Sequence, residues 1–443
     1  MPGPTVEPVE GAATLPAEAD VVVVGGGIIG TTTALELAER GLKVVLCEKG
    51  IIAGEQSSRN WGWVRLARRD PREIELMMAS IRIWEGMAER VGADVGYTQC
   101  GVVVPFYDAA SEAENTEWLK NVEGRQTRIE RIDRDAVNRM LPQLNYEHNG
   151  GIYAPHDGRA EPQKAAPAVA RAVMAKGGTV LTGCAVRALD VEGGVVKGVI
   201  TEKGRIKAGA VVVAGGAWSR LLLRQAGVTL PQLKVINSVM RTTPVEDGPT
   251  VTVRGPNFSV RKRADGGYTI STLVANDFDL TPDSFRFFMK FWPAAKMEWR
   301  QLRPRLGPRF WREWREFAPW DPNRESPFEE IRILDPKPNK RLTDRAFAAA
   351  KKALPVLEKA EVAQRWAGMI DVTPDAVPVI SKVESRPGLV IATGFSGHGF
   401  GLGPAGGRLA ADLASGSAPF VDPAAFRLSR FFDGSRIVPL TGV

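Results

Sequence analysis

Three glycines and one glutamate near the start of the chain have the types and spacing that bind the phosphates and ribose of a dinucleotide. Gly25, Gly27 and Gly30 form a G-x-G-x-x-G pattern directly after the apolar run 21–24. In such a turn one glycine permits the bend, one lets the backbone approach a pyrophosphate, and one lets the following helix contact the strand. Glu48 lies 18 residues after Gly30, where a carboxylate can accept hydrogen bonds from ribose hydroxyls. The pattern predicts a nucleotide site that opens the protein.

This turn needs a strand before it, a helix after it and a second strand beyond, and the sequence predicts all three. The run 21–24 is entirely valine, which is typical of a strand buried on both faces. Apolar residues at helical spacing predict a helix over 31–40, and 42–48 predicts the second strand. Together they form a β-α-β unit.

Later apolar runs predict the rest of the architecture. The runs 178–181 and 210–214 are expected to join the same sheet, 101–106 is a further strand candidate, and 388–394 is a buried strand that leads into a helix over 406–414. Alternating residues with turn signals over 234–273 predict an antiparallel sheet.

Composition limits the class of protein. The chain has 443 residues with 44% hydrophobic and 25% charged residues, which predicts a globular protein made of one large composite unit or of two to three domains. Its three cysteines, Cys47, Cys100 and Cys184, give neither a disulfide framework nor a metal site, so we expect no metal and a reducing, cytoplasmic location. The N-terminal 20 residues lack the features of a signal peptide, and the apolar runs fall short of the roughly 20 residues that span a membrane.

Positive charge is concentrated in one segment. The net charge is +7, and residues 285–320 carry nine Lys or Arg against three Glu, together with five of the eleven tryptophans and six phenylalanines. This distribution argues against a nucleic-acid-binding face. Four interpretations stay open: a peripheral membrane contact that passes electrons to a quinone, a subunit interface of a homo-oligomer, a lid over the substrate, or a helix pair with inward aromatics and solvated arginines.

Several separated motifs, taken together, resemble one known family. They are the N-terminal fingerprint, the loop 56–62 (Q-S-S-R-N-W-G), the pair 366–368 and 373–375 (W-A-G and T-P-D), and the glycine-rich block 394–403 (G-F-S-G-H-G-F-G-L-G). The combination resembles the D-amino-acid-oxidase-like flavoproteins, which include sarcosine oxidase, glycine oxidase, D-amino-acid dehydrogenases and some L-amino-acid oxidases. The resemblance spans nearly the whole chain.

The resemblance implies an α/β fold with two domains. A Rossmann-like FAD-binding domain of the GR2 type would be formed by 1–95, 160–228 and 360–443. A discontinuous substrate-binding domain, built on a mixed or antiparallel sheet, would be formed by 96–159 and 229–359.

The resemblance also implies FAD as cofactor. Glu48 would hold the adenosine ribose, Val186 would meet adenine through its backbone, 57–62 would run beside the pyrophosphate and isoalloxazine, and 397–401 would lie near the flavin N1/C2 carbonyl. Glycine amides and a helix N-terminus there would stabilise the negative charge of the reduced ring. The expected cofactor-binding residues are Gly25, Gly27, Ile28, Ile29, Gly30, Glu48, Lys49, Gln56, Ser57, Ser58, Arg59, Asn60, Trp61, Gly62, Val186, Ala214, Gly215, Gly216, Trp218, Gly368, Gly397, His398, Gly399, Phe400 and Gly401.

Three positions depart from the pattern of some family members. Gly368 stands where some members attach FAD through a cysteine, so we predict noncovalent FAD. Gly401 stands where sarcosine oxidases have a lysine that grips the substrate carboxylate, and Thr269 aligns with their oxygen-activating lysine. The electron acceptor, O2 or a quinone or another molecule, therefore stays open.

The implied reaction is hydride transfer from Cα of a neutral amine to flavin N5, giving an imino acid that hydrolyses to a keto acid and ammonia, with H2O2 if O2 is the acceptor. A bidentate arginine is the natural clamp for the substrate carboxylate. Arg65 matches the family's arginine in this loop, although it could instead belong to a solvated group with Arg68, Arg69 and Arg72.

Other candidates for substrate contact have structural alternatives. Arg261 is a second possible clamp or a surface strand residue. Trp218 and Trp366 are pocket walls or core residues, and Asp371 contacts the substrate amine or caps a turn. His398 is expected to contribute its backbone rather than a catalytic base.

These observations favour an L-amino-acid oxidase that acts on a larger primary α-amino acid, because the pocket candidates are aromatic and the second cationic grip is missing. One alternative is a dehydrogenase of D-amino acids or of secondary amines such as proline-like or N-methyl amino acids. A flavin-binding scaffold protein without turnover is an alternative of another class.

Overall fold

A computed structural model describes residues 3–273, 276–299 and 302–440. Its strands form two large sheets and one small one. The strands are β1 Glu18–Val24, β2 Val44–Cys47, β3 Trp63–Val64, β4 Thr98–Gln99, β5 Val102–Pro105, β6 Glu130–Ile132, β7 Gly151–Ala154, β8 Gly158–Arg159, β9 Thr179–Leu181, β10 Val186–Glu192, β11 Val195–Thr201, β12 Gly204–Val213, β13 Leu233–Thr242, β14 Thr252–Arg254, β15 Phe258–Lys262, β16 Tyr268–Thr272, β17 Asn276–Asp279, β18 Leu302–Arg305, β19 Val362–Val372, β20 Val379–Lys382 and β21 Leu389–Thr393. The α-helices are α1 Ile28–Glu39, α2 Gln56–Arg59, α3 Ile74–Glu85, α4 Met87–Val91, α5 Ala109–Leu119, α6 Arg134–Met140, α7 Pro162–Ala175, α8 Ser219–Gln225, α9 Pro282–Arg286, α10 Phe288–Glu298, α11 Pro308–Arg315, α12 Pro327–Glu330, α13 Lys340–Ala353 and α14 Gly399–Ser415.

The first sheet has eight strands in the order β10-β11-β12-β1-β2-β9, with β21 beside β12 and β20 beside β21. The pairs of β1 with β2, β1 with β12, β2 with β9, and β12 with β21 are parallel. Residues 21–24 of β1 are buried, because a central parallel strand is covered on both faces. The predicted β-α-β unit therefore lies in the middle of this sheet.

Helix α1 packs against the last long helix, α14, at very short range. A Cβ atom at Gly407 of α14 would lie 2.1 Å from the Thr32 hydroxyl, so only glycine permits this contact. The Thr32 hydroxyl in turn donates to the Gly403 carbonyl at 3.0 Å. The first and last segments of the chain thus form one layer on the sheet.

The second sheet has ten strands in the order β18-β17-β13-β16-β15-β14-β5-β7-β6, with β19 beside β13. Most pairs are antiparallel, whereas β14 with β5 and β17 with β18 are parallel, so the sheet is mixed. Helix α13 covers it with a row of buried apolar side chains that includes Ala346, Phe347 and Ala350. The small sheet, β3-β8-β4, lies in the connections around the loop that follows α2.

The fold is the predicted α/β arrangement. One helix begins earlier than predicted, and one strand assigned to the first predicted domain pairs with the second sheet. Helix α14 begins at Gly399, seven residues before the predicted start, because tertiary packing overrides the weak helix propensity of its glycines. The division of the chain into two domains remains a proposal. Strand β19, which the predicted boundaries give to the first domain, is hydrogen-bonded along its length to β13 of the second sheet.

The basic aromatic segment has its aromatic side chains outward. Trp292, Trp299, Trp311 and Trp314 are each more than 50% exposed. Arg309, by contrast, is buried and pairs with Glu313 at 2.7 Å. The expectation of inward aromatics is therefore wrong for most of this segment, with the buried Phe287 as an exception. The expectation of solvated arginines agrees with the exposure of Arg286, Arg303, Arg305 and Arg315. Among the described residues no helix is both long and apolar enough to cross a bilayer.

Candidate active site

The carboxyl ends of the central parallel strands meet at one edge of the first sheet. The register places Val24 beside both Cys47 and Val213, and the next residues along β1 and β2 are Gly25 and Glu48. In open α/β sheets this edge is where ligands bind.

The glycine turn has the geometry that the sequence predicts. Gly25 has φ +110°, and a Cβ at Gly30 would lie 1.9 Å from the Gly25 carbonyl oxygen, so neither position tolerates a side chain. The backbone N–H of Ile28 donates to the Ser57 hydroxyl at 2.8 Å, which joins the start of α1 to the loop that follows. The bare backbone at a helix N-terminus suits the pyrophosphate of a dinucleotide.

Glu48 is fixed by two backbone amides. Its carboxylate accepts from the N–H groups of Gly26 and Gly50, each at 2.7 Å. Burial raises the pKa of Glu48. The two backbone hydrogen bonds fix the position of its carboxylate. Two carboxylate oxygens with remaining lone pairs fit a pair of ribose hydroxyls.

The loop 56–62 is held by Asn60. Its side-chain amide donates to the Ser57 carbonyl at 2.8 Å, and its oxygen accepts from the Gly62 N–H at 2.7 Å. Asn60 therefore shapes the loop, and the loop presents Gln56, Ser57 and Trp61 to the interior of the site.

A cavity of about 720 Å³ connects these segments. It has a volume suited to a large cofactor with a small substrate beside it. The predicted cofactor residues that line it are Gly25, Gly27, Ile28, Ile29, Glu48, Lys49, Gln56, Ser57, Arg59, Asn60, Trp61, Val186, Ala214, Gly215, Gly216, Trp218, Gly368, Gly397, His398, Gly399, Phe400 and Gly401. Their contacts with FAD stay predictions. With the bare glycine turn and the anchored Glu48, this lining fits FAD.

Three predicted cofactor residues do not line the cavity. Gly30 lies behind the turn, where it permits the contact between helix and strand. The buried Ser58 hydroxyl donates to the Glu55 carbonyl at 3.2 Å. A Cβ at Gly62 would lie 2.7 Å from the Arg261 guanidinium. These residues therefore support the cavity from outside.

His398 precedes the first turn of α14 and is held by an acidic partner. Its Nδ1 lies 3.0 Å from the Glu73 carboxylate. Burial lowers the pKa of His398 and the charge of Arg69 lowers it further, while the Glu73 carboxylate opposes this shift, so the neutral ring is favoured. The first amides of a helix have no acceptor within the helix, and Gly399, Phe400 and Gly401 line the cavity.

Arg65 and Asp371 both line the cavity but differ in their partners. Arg65 donates to the Ala67 carbonyl and lies over the Trp63 ring, 5.6 Å from its centroid. The Asp371 carboxylate accepts from the Gly394 N–H at 2.7 Å and from Gln232 at 2.8 Å. Asp371 thus has the bonding of a turn cap, whereas Arg65 has no carboxylate partner among the described residues.

Arg261 lies outside the cavity, which corrects its prediction as a substrate clamp. It is completely buried and pairs with Glu161 at 2.8 Å, and it donates to the Thr269 hydroxyl at 3.0 Å. An arginine with these partners holds the second sheet to the connection before α7.

The two candidate tryptophans differ in their surroundings. Trp366 does not line the cavity, since it is 1% exposed and donates to the Arg59 carbonyl at 2.9 Å. Trp218 lines it beside Lys49, whose Nζ is 4.5 Å from the ring centroid, and donates to Glu55 at 3.0 Å. Trp218 therefore belongs to the Glu48 side, and Trp366 to the core.

The structure adds two site residues that the sequence analysis missed. Arg254 ends β14, Tyr107 follows β5 by two residues, and both line the cavity. The pairing of β14 with β5 is parallel, so both strands end at the same edge. The only sequence signal was a basic residue directly before the turn 255–257.

The fold and this site define an FAD-dependent oxidoreductase. Residues 20–413 match the family model described as DAO, FAD dependent oxidoreductase, and the chain belongs to this family. Its cofactor is FAD, and its relatives act on amines and amino acids.

The similarity to known relatives and to solved structures extends over most of the chain. The L-amino acid deaminase of Proteus myxofaciens, solved in complex with anthranilate, is 34% identical with a TM-score of 0.91, covering 97% of this chain and 96% of the other. The L-amino acid deaminase of Proteus vulgaris is 31% identical with a TM-score of 0.90, covering 96% and 100%. The glycine oxidase of Pseudomonas putida is 27% identical over 92% of this chain and 97% of its own.

Proposed function

We propose that the protein catalyses oxidative deamination of an L-α-amino acid to the imino acid, which hydrolyses to the keto acid and ammonia. The observation that carries the proposal is a guanidinium, Arg65, that faces the cofactor cavity without a carboxylate of its own. A planar guanidinium binds a carboxylate through two parallel hydrogen bonds. Bound FAD supplies the two-electron acceptor.

The protein's own residues would orient the substrate. Arg65 holds the carboxylate, and the Trp63 ring under its guanidinium limits the positions that this side chain can take. The neutral His398, tied to Glu73, stays a positioning residue at the start of α14. Because hydride leaves Cα of a neutral amine, the substrate must arrive with its amine already deprotonated or lose that proton to water.

The choice of the L-enantiomer is supported by the similarity to the two Proteus L-amino acid deaminases. A second candidate, oxidation of a secondary amine, is supported by the L-proline dehydrogenase of P. horikoshii, which is 25% identical with a TM-score of 0.77 and covers 95% of this chain and 100% of the other.

Anaerobic bleaching of the bound flavin tests the proposal. L-amino acids should bleach the visible absorption of the oxidised flavin, whereas their D-enantiomers should not. Bleaching by proline or N-methyl amino acids alone would favour the second candidate. A flavin that no member of the panel reduces would overturn the proposal.

For the electron acceptor we favour a membrane quinone over O2. The exposed tryptophans of α10 and α11 lie among basic residues, as in helices that rest on an anionic lipid surface. Met297, near the end of α10, also lines the cavity, so one helix connects the site with this face. Thr269 is buried against Arg261 and does not line the cavity.

A further inference from the structure

One end of the cavity carries more positive charge than a single carboxylate can neutralise. Arg65, Arg68, Arg69 and Arg254 all line it. Arg68 is neutralised by its ion pair with Glu114. Arg69 donates through Nε to the Arg65 carbonyl at 3.0 Å, and the buried negative charges of Glu73 and Asp157 oppose the lowering of its pKa by burial.

The Arg254 side chain has no hydrogen bond and no ion pair among the described residues, although the residue is half-buried and lines the cavity. Burial, together with the charge of Arg68, lowers the pKa of Arg254 to about 10. A charged group that has lost water without gaining a partner is costly. Such a group is stable when a ligand provides the missing anion.

Arg65 is in a similar condition: its own hydrogen bond goes to a backbone carbonyl, and the nearby Asp157 carboxylate raises its pKa without forming an ion pair with it. The charge of Arg254 lowers the pKa of Arg65, so the two guanidiniums lie close enough to repel. One substrate α-carboxylate can pair with one of these guanidiniums. The other guanidinium would be neutralised by a second anion in the same cavity.

We propose that the substrate is an amino acid with an anionic side chain, a dicarboxylic amino acid, whose two carboxylates are bound by Arg65 and Arg254. This inference rests on the proposed function. Tyr107 lies at the same strand edge as Arg254 and lines the cavity, where its hydroxyl can donate to the side-chain carboxylate. The anionic groups of FAD belong at the other end, beside the glycine turn.

Binding of unreactive acids to the holoenzyme tests this without turnover. Succinate and butyrate have the same chain length, but only succinate has a second carboxylate. The shift in the flavin spectrum should give a Kd for succinate about tenfold to a hundredfold lower than for butyrate, as expected for one charged hydrogen-bonded pair. Equal affinities would overturn the proposal.

Variants assign the effect to Arg254. Arg254→Gln should remove the advantage of succinate over butyrate, and Arg254→Lys should retain part of it, because the ammonium keeps the charge but not the fork. Arg82→Gln, at an exposed arginine of α3, is the matched control and should retain the full difference. Flavin content and melting temperature show whether each variant is folded.

Turnover separates this proposal from the one on which it rests. L-aspartate and L-glutamate should bleach the flavin with a kcat/KM about tenfold or more above those of L-asparagine and L-glutamine. If the neutral amino acids react as well or better, the dicarboxylic specificity is overturned while the proposed deamination stands. If no amino acid reacts, the proposed function fails first.

Discussion

At the scale of single residues, the site depends on guanidiniums whose usual partners are missing. Arg261 and Arg65 show the contrast. Arg261 is neutralised by Glu161 and serves the fold, whereas Arg65 meets only a carbonyl and an aromatic ring. The sequence alone could not tell which of the two arginines binds substrate, since each was a basic residue in a segment expected near the site. Their partners in the structure distinguish them.

Arg65→Gln should weaken substrate binding more than it slows the chemical step. Loss of a charged hydrogen bond of about 2–3 kcal/mol predicts an increase in KM of roughly 30-fold to 150-fold. Steady-state kinetics and rapid-reaction bleaching measure KM and the reduction rate separately. Arg345→Gln, at an exposed arginine of α13, is the control. An unchanged KM for the Arg65 variant would remove Arg65 from the clamp.

Asp157 couples the Arg65 loop to pH. Its carboxylate accepts from the backbone N–H groups of Leu66 and Ala67 at 2.7 and 2.9 Å. Burial raises the pKa of Asp157 to about 6. A carboxyl whose pKa is higher in the folded state than in the unfolded state lowers the free energy of unfolding as the pH rises through that interval.

Lowering the pH from 7 to 5 should therefore stabilise the protein through this residue by about 1 kcal/mol. Asp157→Asn removes the titration. The melting temperature of the wild type minus that of the variant should be larger at pH 5 than at pH 7, because the two proteins share all other titrating groups. A difference that stays constant or falls would show that Asp157 does not titrate in this range.

At the scale of elements, the sequence predicted what local rules determine. The valine run, the glycine turn and the second strand are contiguous, so β1, α1 and β2 followed from periodicity and turn chemistry. Arg254 did not, because it reaches the cavity only through the parallel pairing of β14 with β5, two segments about 150 residues apart. The early start of α14 likewise depends on its packing against α1.

Gly30→Ala should abolish FAD binding or folding of the turn, because the new Cβ would lie 1.9 Å from the Gly25 carbonyl oxygen. Gly86→Ala is a matched control, since a Cβ there meets nothing within 4 Å and the residue has φ −94°. The flavin-to-protein absorbance ratio of the purified proteins measures the effect. A Gly30 variant with full flavin content would contradict the close contact of helix and strand.

At the scale of the whole molecule, segments far apart in sequence line one cavity. The N-terminal turn and the N-terminus of α14 line the same cavity, and Gly368 lies between them in sequence and lines it too. A Cβ at Gly368 would lie 3.2 Å from the Arg59 Cβ, so a larger residue would have to displace this loop. The position has no thiol that could attach to the flavin ring.

Acid precipitation should release all of the flavin into the supernatant as FAD, since we predict a noncovalent cofactor. The absorbance of the supernatant, compared with that of the intact holoenzyme, measures the released fraction. A yellow pellet would contradict the prediction. In that event the thiols to test would be Cys47, which lines the cavity, and Cys184 beside it, with Cys100→Ser as the matched control.

The outward aromatic face is the surface on which we propose that the molecule contacts a lipid bilayer. Trp311 and Trp314 are 65% and 60% exposed on α11, and Trp292 is 51% exposed on α10. Large aromatic side chains among arginines match the interface of an anionic bilayer, where the rings enter the headgroup region and the cations meet phosphate. Because Met297 of α10 lines the cavity, the end of the cavity next to α10 would then lie near the membrane.

The protein should float with vesicles that contain phosphatidylglycerol and should not float with pure phosphatidylcholine. The double substitution Trp311→Ser and Trp314→Ser should reduce the bound fraction several-fold, since burial of one large aromatic side chain contributes about 1.5–3 kcal/mol. The same variant should lose reduction of a vesicle-embedded quinone but keep anaerobic bleaching by substrate, because the cavity lies apart from these two side chains. Equal flotation of wild type and variant, or quinone reduction that does not depend on vesicles, would leave the aromatic face without a role in electron transfer.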